Sequence, residues 1–250
     1  MLEIFLFLSI AVLILLFFYK QAVVPEYKLN QLSYKSIDTL PDLMAEKTPI
    51  VILDTPQTTF WSASDIQARP VLAQEGLPLL SLCQQSNTTH NTYKSSLADF
   101  FGENSGAPVW VKGKWLPVLT NPWLEWLTLP RSKAWLGSRG LQATYAPWTL
   151  ITASEGEAFV SLLHKKHDTY LPASWKNRLP SELTRADTPF LSDIKYIDVI
   201  LREGTSLLVP AHWKVAYQTS PDVPAGKPVF IVETAFHHPL SMLVEKMAEP

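Results

Sequence analysis

An uninterrupted apolar run at the N-terminus, from Leu2 to Tyr19, constrains this chain more than any other feature. Glu3 is its only charged residue, and Lys20 closes it. As an α-helix rising ~1.5 Å per residue, the run would be roughly 27 Å long, close to the thickness of a hydrocarbon core. A cleaved signal peptide is the rival interpretation, but no basic residue precedes the run and its apolar stretch is too long. The sequence therefore predicts a transmembrane anchor over residues 1–20, with the lipid bilayer contacted through residues 2–19.

The charges beside this run predict its orientation. Lys20, Lys28 and Lys35 follow the run and nothing basic precedes it, so the positive-inside rule favours a single-pass protein with a cytosolic C-terminal domain. The lone cysteine, Cys83, excludes an internal disulfide and agrees with a reducing compartment. A glycosylation triplet at Asn87 points the other way, although such triplets arise by chance.

Size and composition predict one globular domain behind the anchor. The chain has 250 residues, of which 47% are hydrophobic and 18% charged, so a sizeable core can form. A net charge of −2 gives no basic stripe for nucleic acid. We expect a tether at residues 21–45 with a short helix at Leu40 to Ala45, a domain at 46–240 and a C-terminal tail at 241–250.

The domain is predicted to be mainly β (α+β), a double-sheet barrel with flanking helices, because short β-branched or apolar runs alternate with turn residues. A short helix is expected at 96–101 and another beginning at Asn121-Pro122. The predicted strands cover residues 50–54, 78–83, 148–152, 158–163, 196–201, 206–210, 214–218 and 229–234.

Six tryptophans lie between Trp110 and Trp148, and their role has two interpretations. Large aromatic side chains at mixed spacing can fill a core and cover a sheet without any ligand. Alternatively, the cluster could form a surface for a protein partner or a belt at a membrane interface. The first interpretation needs fewer assumptions and is favoured.

The stretch from Ile197 to Trp213 carries a family resemblance. A strand ends in a turn at Gly204, an apolar pair leads to Pro210, and Trp213 follows three residues later. This pattern resembles the late strand pair of cupin-like (Jumonji C-type, JmjC) domains. Two weaker matches are the opening strand at 48–52 and the strand-turn-strand at 158–172. The resemblance covers residues 46–240 and implies a double-stranded β-helix, the cupin or jelly-roll-like barrel.

Enzymes of that family are Fe(II)- and 2-oxoglutarate-dependent oxygenases, so the resemblance also implies where a metal would be held. Their two-histidine, one-carboxylate triad would fall on Thr152, Ser154 and Val215, none of which can replace those ligands. Lys166 corresponds to a lysine that some members use for the 2-oxoglutarate carboxylate. The resemblance thus implies a degenerate triad, with no catalytic residues and no cofactor.

Other residues could in principle rebuild a metal site. The fallback candidates are His164, which has His167 three residues later, His212 and Glu155, and a further histidine pair stands at 237–238. Their spacing lacks the regularity of zinc or iron sites, and ordinary surface histidines are the simpler interpretation. Cys83 lies in an apolar run without a basic neighbour, which favours packing over nucleophilic use.

Three functions remain open from the sequence. The first is a membrane-anchored, non-catalytic cupin-like domain that works as a binding or structural module. The second is an oxygenase with an atypical ligand set, in which His212 or His164 replaces a lost histidine. The third is a structural membrane-associated protein whose tryptophan-rich region, Trp110 to Trp148, contacts a protein partner.

Overall fold

The computed structural model describes residues 2–21, 27–56, 61–85, 95–120, 125–172, 177–220 and 227–248. Its helices are α1 Leu2–Gln21, α2 Leu40–Ala45, α3 Ala63–Ala68, α4 Pro70–Gln85, α5 Ser95–Asn104, α6 Ala107–Lys114, α7 Leu116–Leu119 and α8 Pro239–Ala248. Its strands are β1 Asn30–Ser33, β2 Ile50–Leu53, β3 Leu129–Leu136, β4 Arg139–Ala143, β5 Trp148–Glu155, β6 Ala158–His164, β7 Tyr196–Leu201, β8 Ser206–Pro210, β9 Trp213–Thr219 and β10 Phe230–His237. Short 3-10 helices occupy Tyr34–Thr39, Glu125–Leu127, Lys165–Tyr170, Pro180–Glu182 and Leu191–Asp193.

The strands form two sheets. The larger has the order β1-β2-β8-β5-β10-β3 and the smaller has the order β4-β9-β6-β7. All described pairs are antiparallel except β1 with β2, which is parallel. From β3 to β10 the chain winds between the sheets, so that β3-β10-β5-β8 faces β4-β9-β6-β7. This is the strand order of a double-sheet jelly roll. The expected sheets with flanking helices are confirmed and are compatible with a cupin-like domain. The fold is mixed α and β and not mainly β, because more of the described residues lie in helices than in strands.

Strand alternation divides the apolar residues of the larger sheet between two cores. On β5, Ile151 and Ala153 point between the sheets, where they join Leu207 and Ile231 of the larger sheet and Val160 of the smaller. Residues one position away point to the opposite face, because successive side chains of a strand alternate. There the larger sheet packs against helices through a second core that includes Trp61, Phe101 and Trp115.

Helix α5 lies directly against β3, at the edge of the larger sheet. Gly102 permits this approach, since a Cβ at that position would overlap the backbone of Ser132. The helix therefore covers a strand edge that would otherwise expose unpaired backbone groups.

The predicted transmembrane anchor is not supported. Among the helices of the described residues, none is both long enough and apolar enough to cross a membrane. Helix α1 contacts α8, and most of its described side chains are exposed, for example Ile4 at 64% and Phe7 at 71%. The side chains at positions 2, 3, 5 and 18–21 lie outside the description.

Most predicted elements are confirmed: the strands at 50–54, 148–152, 158–163, 196–201, 206–210, 214–218 and 229–234, and the helices at 40–45 and 96–101. The strand predicted at 78–83 is wrong, because these residues lie within α4. A short apolar run does not distinguish a strand from a buried helix segment, and Pro78 suggested a boundary that the helix does not have. The helix predicted to begin at Asn121-Pro122 lies outside the described residues, as does the triplet at Asn87.

Candidate functional site

A buried ion pair lies inside the barrel, between Arg139 at the start of β4 and Glu233 on β10. Their side chains are only 5% and 12% exposed. Glu233 points between the sheets because it follows Ile231 by two residues on the same strand. The hydroxyl of Tyr217, on β9, donates to the same Glu233 carboxylate oxygen at 2.8 Å. Three strands from both sheets thus meet at one carboxylate.

Aromatic rings fix the Arg139 guanidinium in this position. Its central carbon lies 4.3 Å from the ring centroid of Tyr217 and 5.0 Å from that of Trp135. One guanidinium nitrogen also donates to the backbone carbonyl of Val215 at 3.4 Å. Cation–π contacts of this kind are strengthened when the cation is withdrawn from water. The interior of the barrel therefore holds an immobilised positive charge beside Val215.

Glu233 also forms part of the wall of a cleft of about 380 Å³ at the mouth of the barrel. Strands β3, β4, β5 and β10, helices α5 and α8, and the turn after β4 surround it. On one side of the cleft, the Lys133 ammonium lies 3.8 Å from a carboxylate oxygen of Asp99 and donates a hydrogen bond to the Ser95 hydroxyl at 3.1 Å. On the other side, His237 Nε2 lies 3.6 Å from a carboxylate oxygen of Glu245. Its volume and its convergent polar groups are those of a small-molecule site.

The electrostatics of this cleft disfavour further positive charge. Burial, reinforced by the positive charges of Arg131 and Lys133, lowers the pKa of His237 to about 4. The neighbouring carboxylates do not compensate, so the imidazole is neutral at pH 7. Burial raises the pKa of Asp99, although the Lys133 ammonium opposes that effect.

The positions predicted for a degenerate triad do not converge, which corrects the sequence-based mapping. Thr152 exchanges a hydrogen bond with Ser206 at 3.0 Å, and Ser154 accepts one from the backbone N–H of Trp61 at 3.1 Å. Both side chains face the helix-covered side of β5, whereas Val215 faces the barrel interior. Residues 152 and 154 share the face opposite Ile151 and Ala153, so they could not have formed an interior site with Val215.

Of the fallback ligands, His164 pairs with Trp213, the residue after His212, whereas Glu155 lies at the opposite end of the β5-β6 hairpin. His164 packs its ring 5.0 Å from that of Trp213, and its Nδ1 accepts the backbone N–H of Lys166 at 3.3 Å. Glu155 accepts the backbone N–H of Ala63 at 2.9 Å, at the start of α3. His212 is buried in the turn between β8 and β9, at φ 70°.

The described residues contain no group of three or more His, Cys, Asp or Glu side chains that could hold a metal ion. Lys166, proposed as a carboxylate contact, places its ammonium 5.2 Å from the ring centroid of Tyr27 instead. The donor set of the barrel interior, with a guanidinium at its centre, does not fit Fe(II).

The residues of the fold signature lie at or near the ends of strands β7, β8 and β9. Gly204 has φ 79°, in the left-handed region that favours glycine, within the turn between β7 and β8. Pro210 ends β8, and Trp213 begins β9 fully buried.

Sequence reasoning missed three central residues of this site, namely Arg139, Glu233 and Tyr217, and noted Trp135 only as one of the clustered tryptophans. A faint signal was available for Glu233, which is a lone charge within the apolar strand Phe230–His237. Arg139 gave no such signal, because β4 was not recognised as a strand.

The tryptophan-rich region is largely core. Trp110, Trp115 and Trp135 are buried at 7%, 0% and 2% exposure, whereas Trp126 is 77% exposed. A protein partner at this region stays an untested prediction.

Comparisons with known proteins give only distant similarity. No family model matches the sequence, and no curated protein matches it. Among solved structures, a hydroquinone 1,2-dioxygenase PnpCD, in complex with Cd²⁺ and 4-hydroxybenzonitrile, matches with 21% identity and a TM-score of 0.27 over 49% of this chain and 63% of that chain. A hydroquinone 1,2-dioxygenase from Sphingomonas sp. TTNP3, with 4-hydroxybenzoate bound, matches with 18% identity and a TM-score of 0.28 over 49% and 65%. The chain thus spans less than two thirds of either, and the fold assignment rests on the strand order.

Proposed function

We propose that this chain is a non-catalytic cupin-like domain, related to the JmjC type, that acts as a binding module through the cleft at its barrel mouth. The observation that carries the proposal is the Arg139 guanidinium, which is buried inside the barrel and bonded to the Val215 carbonyl and Glu233. Val215 is the position at which the resemblance places the distal histidine of an iron site.

Electrostatics explain why this arrangement opposes a metal. Two unit charges ~4 Å apart interact by about 4 kcal/mol at an effective dielectric constant of ~20, and a divalent ion doubles that value. Glu233 could offset part of this repulsion, but it is committed to Arg139 and Tyr217. An iron ion in the barrel would therefore have to break a buried ion pair before gaining one carboxylate ligand.

We further propose that helix α1 brings the domain to a lipid surface. Its described side chains are almost all apolar and largely exposed, including Leu13 at 64% and Phe17 at 58%. An exposed apolar surface of this extent favours contact with lipid or another protein over contact with water. The orientation of the domain relative to the cytosol stays a prediction.

The test of the non-catalytic proposal is metal binding. Purified protein should contain no stoichiometric iron by elemental analysis, and calorimetry with Mn(II), with and without 2-oxoglutarate, should show no saturable binding. An Arg139→Gln variant, which removes the central cation, serves as the matched comparison. Stoichiometric metal in the natural chain, or iron-dependent turnover of 2-oxoglutarate, would overturn the proposal in favour of an oxygenase with an atypical ligand set.

A further inference from the structure

We propose that the cleft at the barrel mouth binds a small organic monocarboxylate, with its carboxylate at Arg131 and Lys246 and its apolar body against the inner wall. This inference rests on the proposed function as a binding module and names the class of ligand. Four features of the cleft support it, namely its free cations, its committed acids, its apolar wall and its volume.

The cations at the rim are available to a ligand. Arg131, on β3, and Lys246, on α8, line the cleft, and both are exposed. Within the described part of the chain, neither forms an ion pair. A guanidinium donates two parallel N–H groups to a carboxylate, so Arg131 suits planar recognition and Lys246 adds a second positive charge.

Two acidic groups of the cleft, Glu233 and Asp99, are already engaged. Glu233 is bound by Arg139 and Tyr217, and Asp99 lies 3.8 Å from Lys133. Burial is the main cause of the low pKa of His237, and the charges of Arg131 and Lys133 lower that pKa further. The cleft thus attracts an anion more than a cation.

The same acids limit how much negative charge the ligand can carry. Asp99, Glu233 and Glu245 all line the cleft, so a dianion would meet repulsion that a monoanion largely avoids. A carboxylate is therefore favoured over a doubly charged anion such as the phosphate dianion.

The inner wall supplies a place for an apolar body. Ala143, Ala146, Ala235 and Met242 line the cleft between its charged groups. A volume of about 380 Å³ lies within the usual range for small-molecule sites and holds a chain of several carbon atoms beside the carboxylate.

The experiment is calorimetry on the full chain in a non-ionic detergent, with three probes. Hexanoate is the monocarboxylate and hexanamide is its uncharged counterpart. Inorganic phosphate, in a mildly alkaline buffer where it is mostly doubly charged, is the dianion. We expect saturable hexanoate binding, with hexanamide and phosphate each at least tenfold weaker. Hexanamide or phosphate binding as tightly as hexanoate, or no hexanoate binding, would overturn the proposal.

Variants locate the site. Arg131→Gln should weaken the affinity for hexanoate at least tenfold, and Arg131→Lys should weaken it less. Lys246→Gln should weaken it several-fold. Lys112→Gln is the matched control, because Lys112 is exposed on α6 and does not line the cleft. Arg131 and Lys246 are exposed, so circular dichroism should show unchanged folding. Equal affinity in Arg131→Gln and the Lys112→Gln control would overturn the assignment.

The two proposals fail in different ways. If hexanoate does not bind and the protein also lacks metal, the ligand class is wrong while the non-catalytic barrel stands. If the protein holds stoichiometric iron, the proposed function is wrong whatever hexanoate does.

Discussion

At the scale of single residues, the barrel is organised around Arg139, whose charge is balanced by one carboxylate and enclosed by two rings. A buried ion pair contributes little net stability compared with well-packed apolar residues, but removing one partner leaves the other charge uncompensated. The pair therefore makes the interior depend on both residues being present.

The first prediction follows from this dependence. Arg139→Gln should lower the free energy of unfolding by about 3–5 kcal/mol, because Glu233 is left buried without its cation. The double variant Arg139→Met/Glu233→Leu should recover most of the loss. Urea unfolding measures both, and Arg202→Gln, which breaks an exposed ion pair with Glu157, provides a control with a much smaller loss. An equal loss in Arg139→Gln and Arg202→Gln would refute the assigned role.

The second prediction concerns pH and His237. Its pKa is about 4 in the folded chain against an ordinary 6.5, so the unfolded chain binds a proton in this window that the folded chain does not. Its contribution to stability should be fully present above pH 6.5 and be lost as the pH falls toward 4, by at most about 3 kcal/mol. The measurement is the difference in unfolding free energy between the natural chain and His237→Gln at pH 7 and pH 5. If this difference in unfolding free energy is the same at pH 7 and pH 5, the imidazole is not buried in its neutral form.

At the scale of elements, turns and close approaches are set by a few glycines. Gly204 turns the chain between β7 and β8 with φ 79°, and a Cβ there would meet nothing within 4 Å. Any cost of substitution is therefore a backbone cost and not a clash. Gly113, in helix α6, has equally open surroundings but helical backbone, so it offers a matched comparison.

The third prediction uses this pair. Gly204→Ala should destabilise the protein by about 1–2 kcal/mol, because an L-residue is strained in the left-handed region. Gly113→Ala should stabilise it by up to about 1 kcal/mol, because alanine favours the helix. Thermal unfolding of the two variants checks the signs, and two shifts of the same sign would contradict the turn assignment.

At the scale of the whole molecule, helix α1 adds an exposed apolar surface to the domain. None of the described side chains of α1 belongs to the two cores on the faces of the larger sheet, and α1 contacts α8. The cleft thus belongs to the domain, and the exposed apolar surface belongs to helix α1.

The fourth prediction is that deleting residues 1–21 leaves the barrel folded and removes its affinity for lipid. The melting temperature should shift by less than a few degrees, because the deleted side chains are mostly exposed. In flotation with phosphatidylcholine vesicles, the full chain should rise with the vesicles and the truncated chain should stay in the bottom fraction. If the truncated protein still floats, the lipid contact lies on another surface, and exposed Trp126 would be the first residue to substitute.

The sequence by itself determined the elements whose pattern is local. Short apolar runs such as Ile50–Leu53 and Ser206–Pro210 were recognisable as strands because they stand between turn residues. The turn at Gly204 was also predictable, since only glycine enters that conformation without strain. The jelly-roll fold followed from these strands together with the family resemblance.

Only the tertiary structure decided what faces the barrel interior. The resemblance placed Thr152 and Ser154 at the positions of lost iron ligands, but strand register turns both side chains to the helix side. Arg139, Tyr217 and Glu233 are 78 and 16 residues apart along the chain, and the winding of the strands between two sheets brings them together. Which charges meet depends on the pairing between distant strands. A one-residue change in register would move every side chain of a strand to the opposite face of the sheet.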